Sequence, residues 1–200
     1  MNKFMQAVEE LEKIETTIIT RKKFNTDEIR KMMEIGVLPE ESGWELIDGE
    51  IIHPMTIGSK HAGIVNRLNQ LLVILLGKSA VVAIQNPVHI DERNEPEPDI
   101  ALLKPRDDFY TNSLPLPEDV LLLIEVSDST VEFDREIKKS LYAKAEIAEF
   151  WLINLRENTI ETYSQPKNGA YRLAQILEKG EAVKSHSIEN LILEIEEILA

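Results

Sequence analysis

The chain has no cysteine. That excludes disulfides, thiolate catalysis and cysteine-ligated zinc or iron–sulfur centres, and it fits a reducing compartment. Long apolar runs are missing too: the most hydrophobic window, Leu71 to Leu76, is far too short to cross a bilayer. Residues 1–15, MNKFMQAVEELEKIE, are charged throughout and do not read as a signal peptide. A soluble, cytoplasmic protein with no membrane partner is the expectation. A basic excess is also lacking. Lysine and arginine number 22 against 36 acids, a net charge of −14. Such a balance weighs against generic nucleic-acid binding unless the cations gather in one place.

Several common chemistries fall away for want of their motifs. Gly58-Ser59-Lys60 invites a phosphate-loop reading, but the pattern needs a glycine five residues earlier, where His53 stands. There is no HExxH, and three of the four histidines fall in strands or turns without ligand spacing. No serine or threonine nucleophile motif occurs. Internal repeats, low-complexity tracts and linkers are absent as well.

What is present is a hydrophobic content of 43% over 200 residues, enough for a real core in one domain of ordinary size. Residues 1–20 read as an amphipathic helix. Asn25 or Thr26 caps a second helix with Asp27 and Glu28 in its first turn, ended by Gly36 and Pro39. WELIDGEIIHP reads as a hairpin about Asp48-Gly49. Ser59 is the expected cap of a helix whose apolar positions are Ile64, Val65, Leu68, Leu71, Leu72 and Leu75, closed by Gly77.

AVVAI, PVHI, DIALL and VLLLIEV follow as strands, the last nearly continuous aliphatic, as a strand covered on both faces must be. Asp134 to Glu146 is a helix, and EFWLIN, TIETYSQ and YRLAQIL are strands. The tail ENLILEIEEILA fits strand or helix. The fold class is therefore mixed α/β (α+β), a central mixed sheet flanked by helices.

Two acids stand out against this pattern. Asp99 heads one aliphatic strand and Glu125 ends another. If the strands are neighbours, the two meet at one sheet end. Carboxylates ~4–5 Å apart repel by several kcal/mol unless a proton or cation lies between them. A divalent ion answers that, and oxygen-only ligands point to Mg2+ or Mn2+. On the following helix Lys138 and Tyr142 share a face, with Asp134 one turn before the lysine. A lysine there can stabilise charge developing on a phosphate. Gln85 can reach the same end from a neighbouring strand.

Bland readings stand beside each of these. Asp99 caps a turn after Pro98, Glu125 makes a structural ion pair, and Lys138 with Lys139 forms a wet helix face. Tyr142 is a core aromatic with its hydroxyl reaching out. His61 shares the apolar face of its helix and is buried by default, with a phosphate or metal contact the minority reading.

In order, the chain shows Trp44-Glu45-Leu46-Ile47-Asp48-Gly49-Glu50, His61, Pro98-Asp99, Glu125-Val126-Ser127, Asp134-x-x-x-Lys138-x-x-x-Tyr142 and Glu149-Phe150-Trp151-Leu152-Ile153. This order resembles the Uma-two family of restriction endonucleases, within the PD-(D/E)XK nuclease superfamily, over residues 24–193. The resemblance implies a restriction-endonuclease-like core over those residues, preceded by a helical extension over 1–23. It also implies divalent-metal-dependent cleavage of DNA phosphodiesters. Carried over by position, Asp99, Glu125, Lys138 and Glu45 are the catalytic residues. Asp99, Glu125 and the Val126 carbonyl hold Mg2+ or Mn2+, with His61, Gln85 and Tyr142 around them.

One departure matters: Ser127 stands where the superfamily usually has its lysine, so that role passes to Lys138. Glu45 is alternatively a solvated strand residue. DNA is the implied partner, received on a basic strip of Arg135, Lys138, Lys139 and Lys144 with Arg21 to Lys23. The competing reading is a silent nuclease fold that binds or assembles, with a homodimer as one arrangement.

Overall fold

The computed structural model describes residues 21–39, 43–53 and 58–199. The helix expected over residues 1–20 lies outside them. Helix α1 (Thr26–Glu34) begins at Asn25, whose side chain accepts from the Glu28 N–H while Glu28 reaches back to the Asn25 N–H, a reciprocal cap. Strands β1 (Glu45–Ile47) and β2 (Glu50–Ile52) pair antiparallel about Asp48 and Gly49. Both turn residues are left-handed, φ 49° and 70°, the backbone that an Asp-Gly hairpin turn requires. A Cβ on Gly49 would lie 2.9 Å from the Phe24 carbonyl oxygen.

Helix α2 (Ser59–Leu76) departs from expectation at both ends of its pattern. Gly58, not Ser59, holds the cap position, and no side chain caps it. The buried stripe is Ile64, Val65, Leu68, Leu72 and Leu76, whereas Leu75 is half exposed. From Leu72 a step of four returns to the same face, and a step of three drifts off it.

Six strands form the main sheet in the spatial order of the chain: β3 (Val81–Ile84), β4 (Ile100–Leu103), β5 (Val120–Ser127), β6 (Glu149–Asn154), β7 (Thr159–Lys167) and β8 (Ala170–Leu177). Every neighbouring pair is antiparallel except β5 and β6. A parallel pair needs a crossover, and a helix supplies it here. That helix runs as α3 (Val131–Phe133), a π-helical turn (Asp134–Lys138) and α4 (Lys139–Lys144).

PVHI is not a strand. Pro87 offers no N–H, and the segment bonds locally instead, Val88 to the Pro96 carbonyl and Ile90 to the Asn94 carbonyl. The tail divides: β9 (Ala182–Lys184) pairs with β10 (Ile192–Glu194), and α5 (Ile195–Leu199) follows.

β5 alternates between two cores. Leu122, Ile124 and Val126 face α2 and the C-terminal elements, with Trp151 and Ile153. Leu123 faces the crossover helix, with Tyr142, Phe150 and Leu152. Each fully buried leucine contributes about 1.5–3 kcal/mol of transfer free energy. Not every buried acid belongs to a site. Glu149, fully buried on β6, accepts from Trp151 Nε1 (2.7 Å), Ser185 Oγ (2.6 Å), the His186 and Ser187 N–H groups (both 2.9 Å) and Ser187 Oγ (2.8 Å). It ties the C-terminal segment to the sheet with neutral donors. No helix among the described residues is long and apolar enough to cross a membrane.

Candidate active site

The β4–β5 ladder ends at the pair Ile100 and Ile124. Two residues further back stands Pro98, which has no N–H to extend it. The Val126 N–H bonds instead to Asp99 Oδ2, at 2.8 Å. The end of the ladder therefore sets Asp99 against the residue that follows Glu125. His61 Nε2 meets the same oxygen at 3.0 Å. Gln85, leaving β3 with φ 50°, places its N–H on the Asp99 carbonyl (3.1 Å) and its side-chain amide 3.4 Å from Asp99 Oδ1.

Glu125 turns to the other side of β5, toward the crossover helix. Its Oε1 accepts from Lys138 Nζ (3.0 Å) and from the Tyr142 hydroxyl (2.7 Å). No hydrogen bond to its Oε2 comes from the described residues. Lys138 Nζ also donates to Glu45 Oε1 at 2.8 Å and lies 3.9 Å from Asp134 Oδ1. Glu45 Oε1 takes the Glu97 N–H as well, at 2.9 Å. Asp134 Oδ2 accepts from Ser127 Oγ at 2.5 Å. Glu45, Glu125, Asp134, Lys138 and Tyr142 are all buried.

The charges do not balance. Three buried carboxylates, Glu45, Glu125 and Asp134, face a single ammonium, and Asp99 adds a fourth acid nearby. Burial opposes the charge on Lys138, but Glu125, Glu45 and Asp134 hold its pKa well above the usual lysine value. Burial pushes Glu125 well up; Lys138 pulls it down, and Asp134, Asp99 and Glu45 push it up again. Asp134 is raised by burial against the pull of Lys138 and of the Ser127 and Thr130 hydroxyls. Glu97 is raised by burial and by Glu45. Burial disfavours charge on His61, yet Asp99, Asp134 and the Val126 carbonyl together raise its pKa.

The donor set suits a hard cation. A negative excess, a Glu125 oxygen without a hydrogen bond from the described residues, and the Val126 backbone beside Asp99 are all present at one sheet end. Among the described residues no three His, Asp or Glu side chains converge as a ready metal cluster. Magnesium needs none: it takes one or two carboxylates and fills its shell with water and phosphate.

The profile of the family described as "Uma2: Putative restriction endonuclease" matches residues 28–196. The chain belongs to this family. Among solved structures it is similar to one described as "a putative nuclease belonging to DUF820 from Anabaena variabilis ATCC 29413", with 20% sequence identity and a TM-score of 0.68. That match covers 88% of this chain and 97% of the other. At that identity the likeness shows a shared fold. Comparison with curated proteins finds no match.

Set in the Uma2 fold, all the residues singled out in the sequence gather at one sheet end: Asp99, Glu125, Val126, Lys138, Glu45, His61, Gln85 and Tyr142. Glu45 is no solvated strand residue, being 6% exposed. The expected basic strip is broken up rather than continuous. Lys138 is buried among acids, Arg135 forks onto Glu161, Lys22 pairs with Glu28, and Lys23 pairs with Asp48 and Glu50. Arg21, Lys139 and Lys144 form no ion pair among the described residues, and Lys139 lies over the Tyr163 ring.

Sequence reasoning noted Asp134 one turn before Lys138 and Ser127 in the place of a lysine, but gave neither a part in the cluster. Glu97 had no signal beyond its place in the EPEPD stretch.

Proposed function

We propose that this chain is a divalent-metal-dependent endonuclease that hydrolyses DNA phosphodiesters. The observation that carries the reading is the hydrogen bond from the Val126 N–H to Asp99 Oδ2, which brings the two acids to one strand end. Asp99, Glu125 and the Val126 carbonyl are the residues that would hold Mg2+ or Mn2+. When bound, the ion supplies Lewis-acid polarisation of the phosphodiester and a lowered cost of ionising water.

The remaining work falls to the chain's own groups. Lys138 keeps a proton on Nζ, because the surrounding carboxylates stabilise its charge, and offers that charge to the developing phosphorane. Glu45 and the Tyr142 hydroxyl fix Lys138 and Glu125 in place. His61 and Gln85 hold the two oxygens of Asp99, orienting its carboxylate. Asp134, held by Ser127, sets the near end of the crossover helix.

The test is a plasmid-nicking assay with Mg2+ or Mn2+, run beside Asp99→Asn, Glu125→Gln and Lys138→Met, with manganese titration calorimetry on wild type and Asp99→Asn. Expected are metal binding and nicking by the wild type alone, with Glu125→Gln still folded because the change is nearly isosteric. Absence of both would leave the binding or assembly module, a reading favoured by the engagement of Lys138 with Glu45 and Glu125.

A further inference from the structure

Along the outer side of the crossover helix runs an open cleft of about 980 Å3, apart from the acid cluster. Its lining includes four large aliphatic side chains: Ile47 from β1, Leu116 from the loop before β5, and Ile137 and Leu141 four residues apart on the crossover helix. Leu116 and Ile137 remain 40% and 46% exposed. Two large aliphatic side chains thus lie open in one concave place, available for apolar contact. The rim is acidic. Glu118, Glu136 and Glu146 line it without an ion pair, and Lys144 is the one lysine or arginine on its wall, among the described residues.

A cleft with this rim repels a phosphate backbone, so it does not extend a nucleic-acid track. Its complement is a helix with an apolar stripe for the floor and cationic side chains for the rim. We propose that the cleft docks an amphipathic, lysine- or arginine-rich helical segment of a partner protein. Docking stands on the cleft and does not depend on the nuclease reading. Its consequence for cutting does: Ile47 lies two residues after Glu45, and Ile137 adjoins Lys138. A docked segment therefore bears on both elements that form the buried Glu45–Lys138 pair.

The probe is a synthetic peptide of roughly 14 residues, four helical turns of leucine and lysine at amphipathic spacing. It is titrated into 15N-labelled full-length protein beside a scrambled peptide of the same composition and a leucine–glutamate analogue. Saturable binding is expected, with shifts gathered at Ile47, Leu116, Ile137 and Leu141 and an affinity at least about tenfold above the scramble. Ile137→Glu should weaken it by about tenfold or more, whereas Ile176→Glu, at an exposed position on β8, should leave it unchanged. If Ile137→Glu fails to fold, the exposed pair Glu118→Lys and Glu136→Lys serves in its place. No saturable binding, a scramble that binds equally well, or an undiminished variant overturns the proposal. Because the readout is binding, none of these outcomes bears on DNA nicking.

Discussion

Replacing Lys138 by methionine keeps the buried hydrocarbon and deletes the ammonium that Glu45 and Glu125 share. The hydrogen bonds it removes measure 2.8 and 3.0 Å, with Asp134 at 3.9 Å behind them. Breaking a buried pair from one side leaves uncompensated charge and costs about 3–5 kcal/mol. That is a large part of the ~5–15 kcal/mol available to a domain. The cost depends on pH, and its sign follows from the remaining acids.

Glu125 and Asp134 already have folded pKa values above their ordinary 4.5 and 3.8, and Lys138 lowers both. A group raised in this way adds stability below its unfolded pKa and loses it as pH rises through the folded one. Without Lys138 both folded values climb further. The variant's deficit is thus smallest near pH 4 to 5 and largest near pH 8. The wild type keeps the lysine's contribution across this range, because the Lys138 pKa lies above 10.5 and the contribution fades only as pH rises through that raised value. Urea unfolding followed by tryptophan fluorescence at pH 4.5 and pH 8 measures the difference, since Trp151 is wholly buried. A cost under about 1 kcal/mol at pH 8, or an equal cost at both pH values, would refute the reasoning.

Glu161→Gln tests the second charged cluster. Burial pushes Glu161 up, but Arg135 and the Tyr163 hydroxyl hold it below the usual glutamate value. Its contribution is present above the unfolded pKa and disappears as pH falls through the folded one, so the cost, about 1–3 kcal/mol at pH 7, should shrink in acid melts. Gly49→Ala combines a left-handed φ with a Cβ 2.9 Å from backbone oxygen; at about 1–3 kcal/mol it should lower Tm by several degrees in a thermal scan. Manganese should raise the wild-type Tm, with about 2.7 kcal/mol gained at a hundredfold excess over Kd, and should leave Asp99→Asn unmoved.

Much of this architecture was legible because local chemistry agreed with the fold. Asp48-Gly49 selects one hairpin turn, Asn25 and Glu28 cap each other, and VLLLIEV suits only a strand covered on both faces. The failures have local causes too. PVHI looked like a strand, but its proline and its bonds to Pro96 and Asn94 serve a loop. Leu75 and Leu76 differ by one helical step, which spacing alone does not resolve. The tail satisfied both periodicities because it contains both elements.

At the site, Asp99 and Glu125 were visible as acids on aliphatic strands. The bond from Ser127 to Asp134, the half-burial of Glu97 and the pairing of Arg135, Lys22 and Lys23 with acids depend on what meets in space. Arg135 is a free cation in sequence and a partner of Glu161 only once β7 lies beside the crossover helix.

The π-helical turn from Asp134 to Lys138 has a consequence for how this chain tolerates change in length. Side chains on a regular helix advance by about 100° per residue, and a wider turn shifts the phase of everything after it. Removing one residue there would restore a regular winding and swing the Tyr142 hydroxyl off Glu125 while Asp134 stayed beside Ser127. Point substitutions on the outward side leave that alignment untouched. A single-residue deletion inside the turn would disconnect the two ends of the network without altering any of its side chains.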